Sequence, residues 1–212
     1  MILMRAIEFK YMIDSPITSP NRIDIKIRWF PPTTNAFKLN IDGAFYKDNQ
    51  MGGISGVIRD SYGNWVVGFR KKIYALTHVM AELKALETGL QLALDRFLLR
   101  RLGNPVLRHN FRQGNKLANF LAKEGSRLNT TTETAILETT PPGATPILQV
   151  DKDGVVTNRQ LSVSTSTKLA MFGNQNVLSN DVTSIDAITT STVATTLDDR
   201  DATISTTNVV MF

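Results

Sequence analysis

Residues 37–42, FKLNID, followed by Gly43 and Ala44, constrain this chain more than any other stretch. Phe37, Leu39 and Ile41 alternate with Lys38, Asn40 and Asp42, the period of two expected of a strand with one buried face. The run closes on a carboxylate, and Gly43 is expected to let the backbone turn sharply there. An acid in that place is either a solvated loop residue or a ligand and catalytic group, and Asp42 alone does not separate the two.

The downstream sequence supplies context. Ile54, Gly56 and Ile58 mark a second strand over about 53–60, and Trp65, Val67 and Phe69 a third over about 65–73. Asp60-Ser61-Tyr62-Gly63-Asn64 between them reads as a hairpin turn, so the three strands form an antiparallel meander. Gly52, Gly53 and Gly56 suit a bulge or helix packing, with close approach of a ligand as the other reading. Arg70-Lys71-Lys72 is either a solvated strand end or a phosphate contact.

A helix is predicted from about His78 to Leu99, with Leu83, Leu86, Leu90, Ala93, Leu94 and Phe97 as its apolar stripe. Glu82 lies beside that stripe near the helix start, where a carboxylate also favours the helix dipole. His78 reads as a capping or surface residue. Residues 106–111, VLRHNF, read as a further strand, and Asn115 to about Glu124 as an amphipathic helix with Gly125 at its C-cap. Asp151, Asp153 and Gly154 lack the later ligands of a calcium loop and read as a turn.

Charge is unevenly spread within the net +5. Residues 37–128 carry 15 basic and 7 acidic groups, whereas residues 129–212 carry 4 and 9. A basic domain is what contact with a phosphate backbone requires. There is no cysteine, which excludes disulfides and thiolate metal sites. No apolar run approaches the ~18 residues of a membrane span, and the N-terminus lacks a secretory h-region. The expected location is therefore intracellular, nuclear or cytoplasmic, and not secreted.

Taken as a set, several motifs resemble the type-1 ribonuclease H domain of plant proteins related to non-LTR retroelement reverse transcriptases. They are Trp29-Phe30-Pro31-Pro32, Lys38 to Ala44, Gly52 to Asp60, Gly63-Asn64-Trp65, Ala81-Glu82-Leu83-Lys84-Ala85-Leu86 and His109 to Ala122. The resemblance covers roughly residues 29 to 159 with one internal gap. It implies an α/β ribonuclease H-like fold: a three-strand antiparallel meander, a helix, a further strand and a C-terminal helix.

It also implies a chemistry. In that family four acids converge on two Mg²⁺ ions, or Mn²⁺ in their place, and hydrolyse the RNA strand of RNA–DNA hybrids. By resemblance Asp42 and Glu82 are metal ligands and catalytic residues, His109 assists product release or proton transfer, and Asn119 stands where the final-helix Asp is expected. Asn40, Arg70, Lys71, Lys72, Arg112 and Asn115 are the implied nucleic-acid contacts, with an RNA–DNA hybrid or double-stranded RNA as partner. The fourth strand and its acid have no counterpart between Leu99 and Val106, so the domain reads as internally truncated. Asp95 and Asp60 are badly placed to replace that acid.

The expected organisation is a poorly ordered leader (1–28), the domain (29–128), a trailing segment (129–159) and a disordered tail (160–212). In that tail 18 of the 48 residues from Gln160 to Thr207 are Ser or Thr. Two functions stand side by side: a hybrid-cleaving ribonuclease impaired by the loss of two acids, and a non-catalytic nucleic-acid-binding remnant of a retroelement.

Overall fold

The structure, a computed structural model, describes residues 22–96, 106–171, 174–178 and 206–211. The strands among them are β1 (Arg22–Ile27), β2 (Phe37–Tyr46), β3 (Met51–Arg59), β4 (Trp65–Tyr74), β5 (Val106–Asn110), β6 (Ala135–Leu137), β7 (Thr157–Ser162) and β8 (Thr206–Met211). The α-helices are α1 (His78–Asp95), α2 (Lys116–Ser126), α3 (Thr145–Lys152), α4 (Val163–Met171) and α5 (Gln175–Leu178). They fall into two compact units, Arg28–Val155 with Ser205–Phe212, and Met1–Ile27 with Val156–Ile204.

The larger unit is a mixed α/β structure around a six-stranded sheet of order β5-β8-β2-β3-β4-β6. The meander β2-β3-β4 forms as the alternation predicts, with Leu39 opposite Ile58 and Ile58 opposite Val67. Without a fourth strand, β2 has two local options, to take residues 106–111 as its neighbour or to remain an open edge. It does neither. β8, from the far end of the chain, lies between β2 and β5 and pairs antiparallel with both, Asn208 standing opposite Asn40 and Arg108. A buried strand cannot leave its amides and carbonyls unpaired, and β8 supplies the missing partners.

Both faces of β2 are covered, which corrects the expectation of a half-buried strand: Lys38, Asn40 and Asp42 are 1%, 0% and 2% exposed. One face carries Leu39, Ile41, Ile54, Ile58, Val67 and Phe69 against α1. The other carries Val57 against Leu117 and Leu121 of α2. Gly43 does not turn the chain, because β2 continues to Tyr46. Its role is clearance: a Cβ there would stand 2.7 Å from the Ala81 carbonyl carbon and 2.8 Å from the Glu82 nitrogen. Gly53 does the same on the opposite face, where a Cβ would lie 2.0 Å from the Ala122 oxygen. Of the two readings for this glycine, helix packing is the one the structure realises.

The buried stripe of α1 is Ala81, Ala85, Leu86, Gly89, Leu92 and Ala93. Of the stripe expected from spacing, Leu86 and Ala93 are buried and Leu90 packs against the same core, but Ala81, Ala85, Gly89 and Leu92 complete the contact, Leu94 is 49% exposed, and Phe97 lies outside the described residues. Small residues win the contact because they let the helix axis approach the sheet at Gly43. Thr77, not His78, caps α1, its Oγ1 accepting from the Met80 amide at 3.1 Å. At the β3–β4 turn Asp60 Oδ1 accepts from the Tyr62 and Asn64 amides at 2.9 and 2.8 Å, and Gly63 adopts φ +76°. Asp60 is a turn residue.

In the smaller unit β1 pairs antiparallel with β7, and Ile25, Ile27, Leu161, Leu169 and Val177 are buried. Residues 160–171, expected to lack structure, complete β7 and form α4, and α5 begins under an Asn174 cap that accepts from the Asn176 amide at 3.0 Å. The alternating Ile23, Ile25 and Ile27 of β1 need a strand partner, and Thr157–Ser162 provides it. The expected disorder of residues 1–21 and 179–205 concerns positions outside the described residues.

Candidate carboxylate site and nucleic-acid interface

The polar face of β2 becomes a site because α2 is tied down over it. Asn115, the residue that opens α2, donates through Nδ2 to the Ile41 carbonyl at 2.8 Å. One turn later Asn119 Nδ2 donates to Asp42 Oδ2 at 3.1 Å. From the neighbouring strand, Ser55 Oγ donates to the Ala118 carbonyl at 2.7 Å. Asn115, Asn119 and Lys123 follow one another at four-residue spacing, so they share a helix face. That spacing is the signal by which Lys123, absent from the sequence-based candidates, could have been found.

Asp42 is thereby enclosed. Burial raises its carboxyl pKa to about 7, against the Asn119 hydrogen bond and the nearby charges of Arg112 and Lys123, which lower it. Desolvation is the larger effect, so near neutrality the carboxyl is divided between its charged and neutral forms. Glu82 is half-buried on α1, the helix over the opposite face, its backbone seated against Gly43 one residue along from Asp42. His109 is half-buried in β5, opposite Thr207, with its ring edge-on to Phe111 at 5.7 Å.

Hard cations want several anionic oxygens converging in one place. Among the described residues no three His, Asp or Glu side chains are grouped to hold a metal ion. Asp42 offers one buried carboxyl with an amide already on one oxygen, and the charges around it are cationic. The strand that fills the fourth-strand position, Thr206-Thr207-Asn208-Val209-Val210-Met211, brings no acid. The donors as arranged do not fit a two-ion centre.

Two of the implied nucleic-acid contacts are interior residues. Asn40 is 0% exposed and its Oδ1 accepts from Trp29 Nε1 at 2.9 Å and Arg59 Nη2 at 2.8 Å. Asn115 is also 0% exposed. Asn40 is enclosed by Trp29 and Arg59, and Asn115 by the β2 backbone whose Ile41 carbonyl it binds, so both are held by contacts between distant segments. Arg70, Lys71 and Lys72 are half-buried on β4, Arg70 facing Glu124 at 3.6 Å. The register places Asp42, Ser55 and Arg70 in one row across three strands. Asp42, Asn119, Arg112 and Arg70 therefore share the α2 side of the sheet, while Glu82 rides on the other layer.

Among the described residues no helix is long and apolar enough to cross a membrane. No curated protein and no solved structure matches the chain. Residues 40–102 match the family model described as Reverse transcriptase-like, a stretch that takes in most of β2, all of β3 and β4, and α1. The meander, the covering helices and the α2 contact to β2 give the Arg28–Val155 unit a mixed α/β architecture consistent with a ribonuclease H-like fold, and the matched stretch lies within that unit.

Proposed function

We propose that the larger unit is a nucleic-acid-binding remnant of a retroelement reverse transcriptase that holds an RNA–DNA hybrid, or double-stranded RNA, without cutting it. The observation that carries this reading is the buried Asp42–Asn119 pair, with an amide standing where a second acid would be needed. An amide at 3.1 Å offers Asp42 a hydrogen bond but adds no charge for a cation. The excess of basic over acidic groups in residues 37–128 supports contact with phosphates, and a protein recognises a hybrid by its shape, 2′-hydroxyls and phosphates rather than by base sequence.

The test is a labelled RNA–DNA hybrid incubated with the full chain over a salt series, with and without Mg²⁺ or Mn²⁺. Binding that weakens linearly with the logarithm of salt concentration, with intact substrate throughout, is the expected result. Metal-dependent cleavage that disappears in Asp42→Asn would overturn the binding-only reading in favour of a retained ribonuclease.

A further inference from the structure

Beyond the C-terminal end of α2, among the described residues, the sheet exposes two tyrosines, Tyr46 and Tyr74. Gly53 lies beneath the end of that helix, where a Cβ would meet the Ala122 oxygen at 2.0 Å and the Ser126 nitrogen at 2.3 Å. Its cross-strand row is Ala44, Gly53 and Lys72. The next row on the same face is Tyr46, Met51 and Tyr74, three side chains directly opposite one another on β2, β3 and β4. Tyr46 and Tyr74 are 45% and 48% exposed. Strand spacing sets their backbones about 10 Å apart. Tyr74 is oriented by its hydroxyl, which bonds Gln50 Oε1.

Scattered exposed tyrosines carry no message, but an in-register row at the end of a sheet, beside cations, is a different object. Lys72 and Arg70 precede Tyr74 on its face of β4, Lys47 follows Tyr46, and Lys84 Nζ donates to the Tyr74 carbonyl at 2.9 Å. Arg127, next to the end of α2, is 72% exposed and pairs with Glu124, which also faces Arg70. Flat rings in a row with positive charge alongside fit a chain of unpaired bases, whose π-faces stack on the rings while phosphates meet the cations. A closed duplex offers no such faces.

From this row we propose that Tyr46, Met51 and Tyr74 form a stacking platform for single-stranded nucleic acid, on the same side of the sheet as Asp42. The proposal deepens the nucleic-acid-binding reading above and rests on it. It gives that surface a substrate class, an unpaired segment such as the end of a hybrid or a displaced strand.

The experiment compares labelled oligothymidylate and oligouridylate of about twelve nucleotides with a blunt RNA–DNA hybrid, on the full chain and its variants. Tyr46→Leu and Tyr74→Leu are each expected to weaken single-strand binding about tenfold and to change hybrid binding less than about twofold, with Tyr→Phe restoring affinity. The two oligonucleotides distinguish DNA from RNA as the strand held. Ultraviolet crosslinking of the unaltered chain, mapped by mass spectrometry, is expected on Tyr46 or Tyr74 and does not depend on any variant folding. Hybrid binding with unaltered single-strand affinity in both Leu variants, or crosslinks elsewhere only, overturns the platform alone. Loss of all binding in the unaltered chain overturns the nucleic-acid reading as well.

Discussion

The guanidinium carbon of Arg59 lies 3.7 Å from the centroid of the Trp29 ring. The same side chain donates to Asp151 Oδ2 at 2.8 Å and to Asn40 Oδ1 at 2.8 Å, and it is fully buried. One arginine thus joins the segment entering the sheet, the central strand and the trailing helix α3. Burial lowers the Arg59 pKa to about 10 and raises that of Asp151, so desolvation outweighs the attraction between them on both sides. Removing one partner leaves the other charge stranded.

Asp151→Ala is therefore expected to cost roughly 3–5 kcal/mol in denaturant unfolding, and Arg59→Met a similar amount. The double variant Arg59→Met with Asp151→Leu should recover much of that loss, because an apolar pair does not have to be stripped of water. A double variant as unstable as either single one would show that the network does more than cancel its own charges.

Asp42 makes stability depend on pH with a definite sign. Its carboxyl titrates at about 7 in the folded chain against an ordinary value of 3.8, so the folded state holds the proton more tightly. The resulting stabilisation is complete below about pH 4 and is lost as pH rises through about 7. Asp42→Asn lacks that titration, and its stability relative to the parent should rise by about 3 kcal/mol between about pH 5 and about pH 8. Lys38, lowered by burial to about 7 from 10.5, acts in the window above and in the opposite sense, and it is common to both proteins. Thermal melts across this range check the slope.

Gly53→Ala and Gly43→Ala push on opposite helices. A Cβ on Gly53 meets backbone of α2 at 2.0 and 2.3 Å, and one on Gly43 meets backbone of α1 at 2.7 Å. Backbone cannot swing aside as a side chain can, so each variant should lose about 1–3 kcal/mol, Gly53→Ala the more. Hydrogen exchange should show the loosening in α2 for the first and in α1 for the second.

Deleting residues 205–212 removes β8 and unpairs β2 from Phe37 to Asn40 and β5 along its length. The shortened chain should exchange those amides faster, melt earlier and self-associate, as uncovered strand edges do. Light scattering with exchange measurements decides this. An unchanged exchange pattern would mean β2 finds its partner elsewhere.

Local order was legible in the residues themselves. The alternation in Phe37 to Ile41 and in Trp65 to Phe69, the Asp60–Gly63 turn and the helix after Thr77 each depend on neighbours a few positions away. The excess of basic groups around them needed only counting. What escaped were pairings between distant segments. Asn119 meets Asp42, Asp151 meets Arg59, and Asn208 meets Asn40 across long spans of chain. Such contacts depend on which of several surfaces a folded layer leaves open, so α2 could bury the polar face of β2, and the end of α2 could leave Tyr46 and Tyr74 bare, without any local signal. Period and charge are properties of a stretch of chain, but cover and register belong to the assembled sheet.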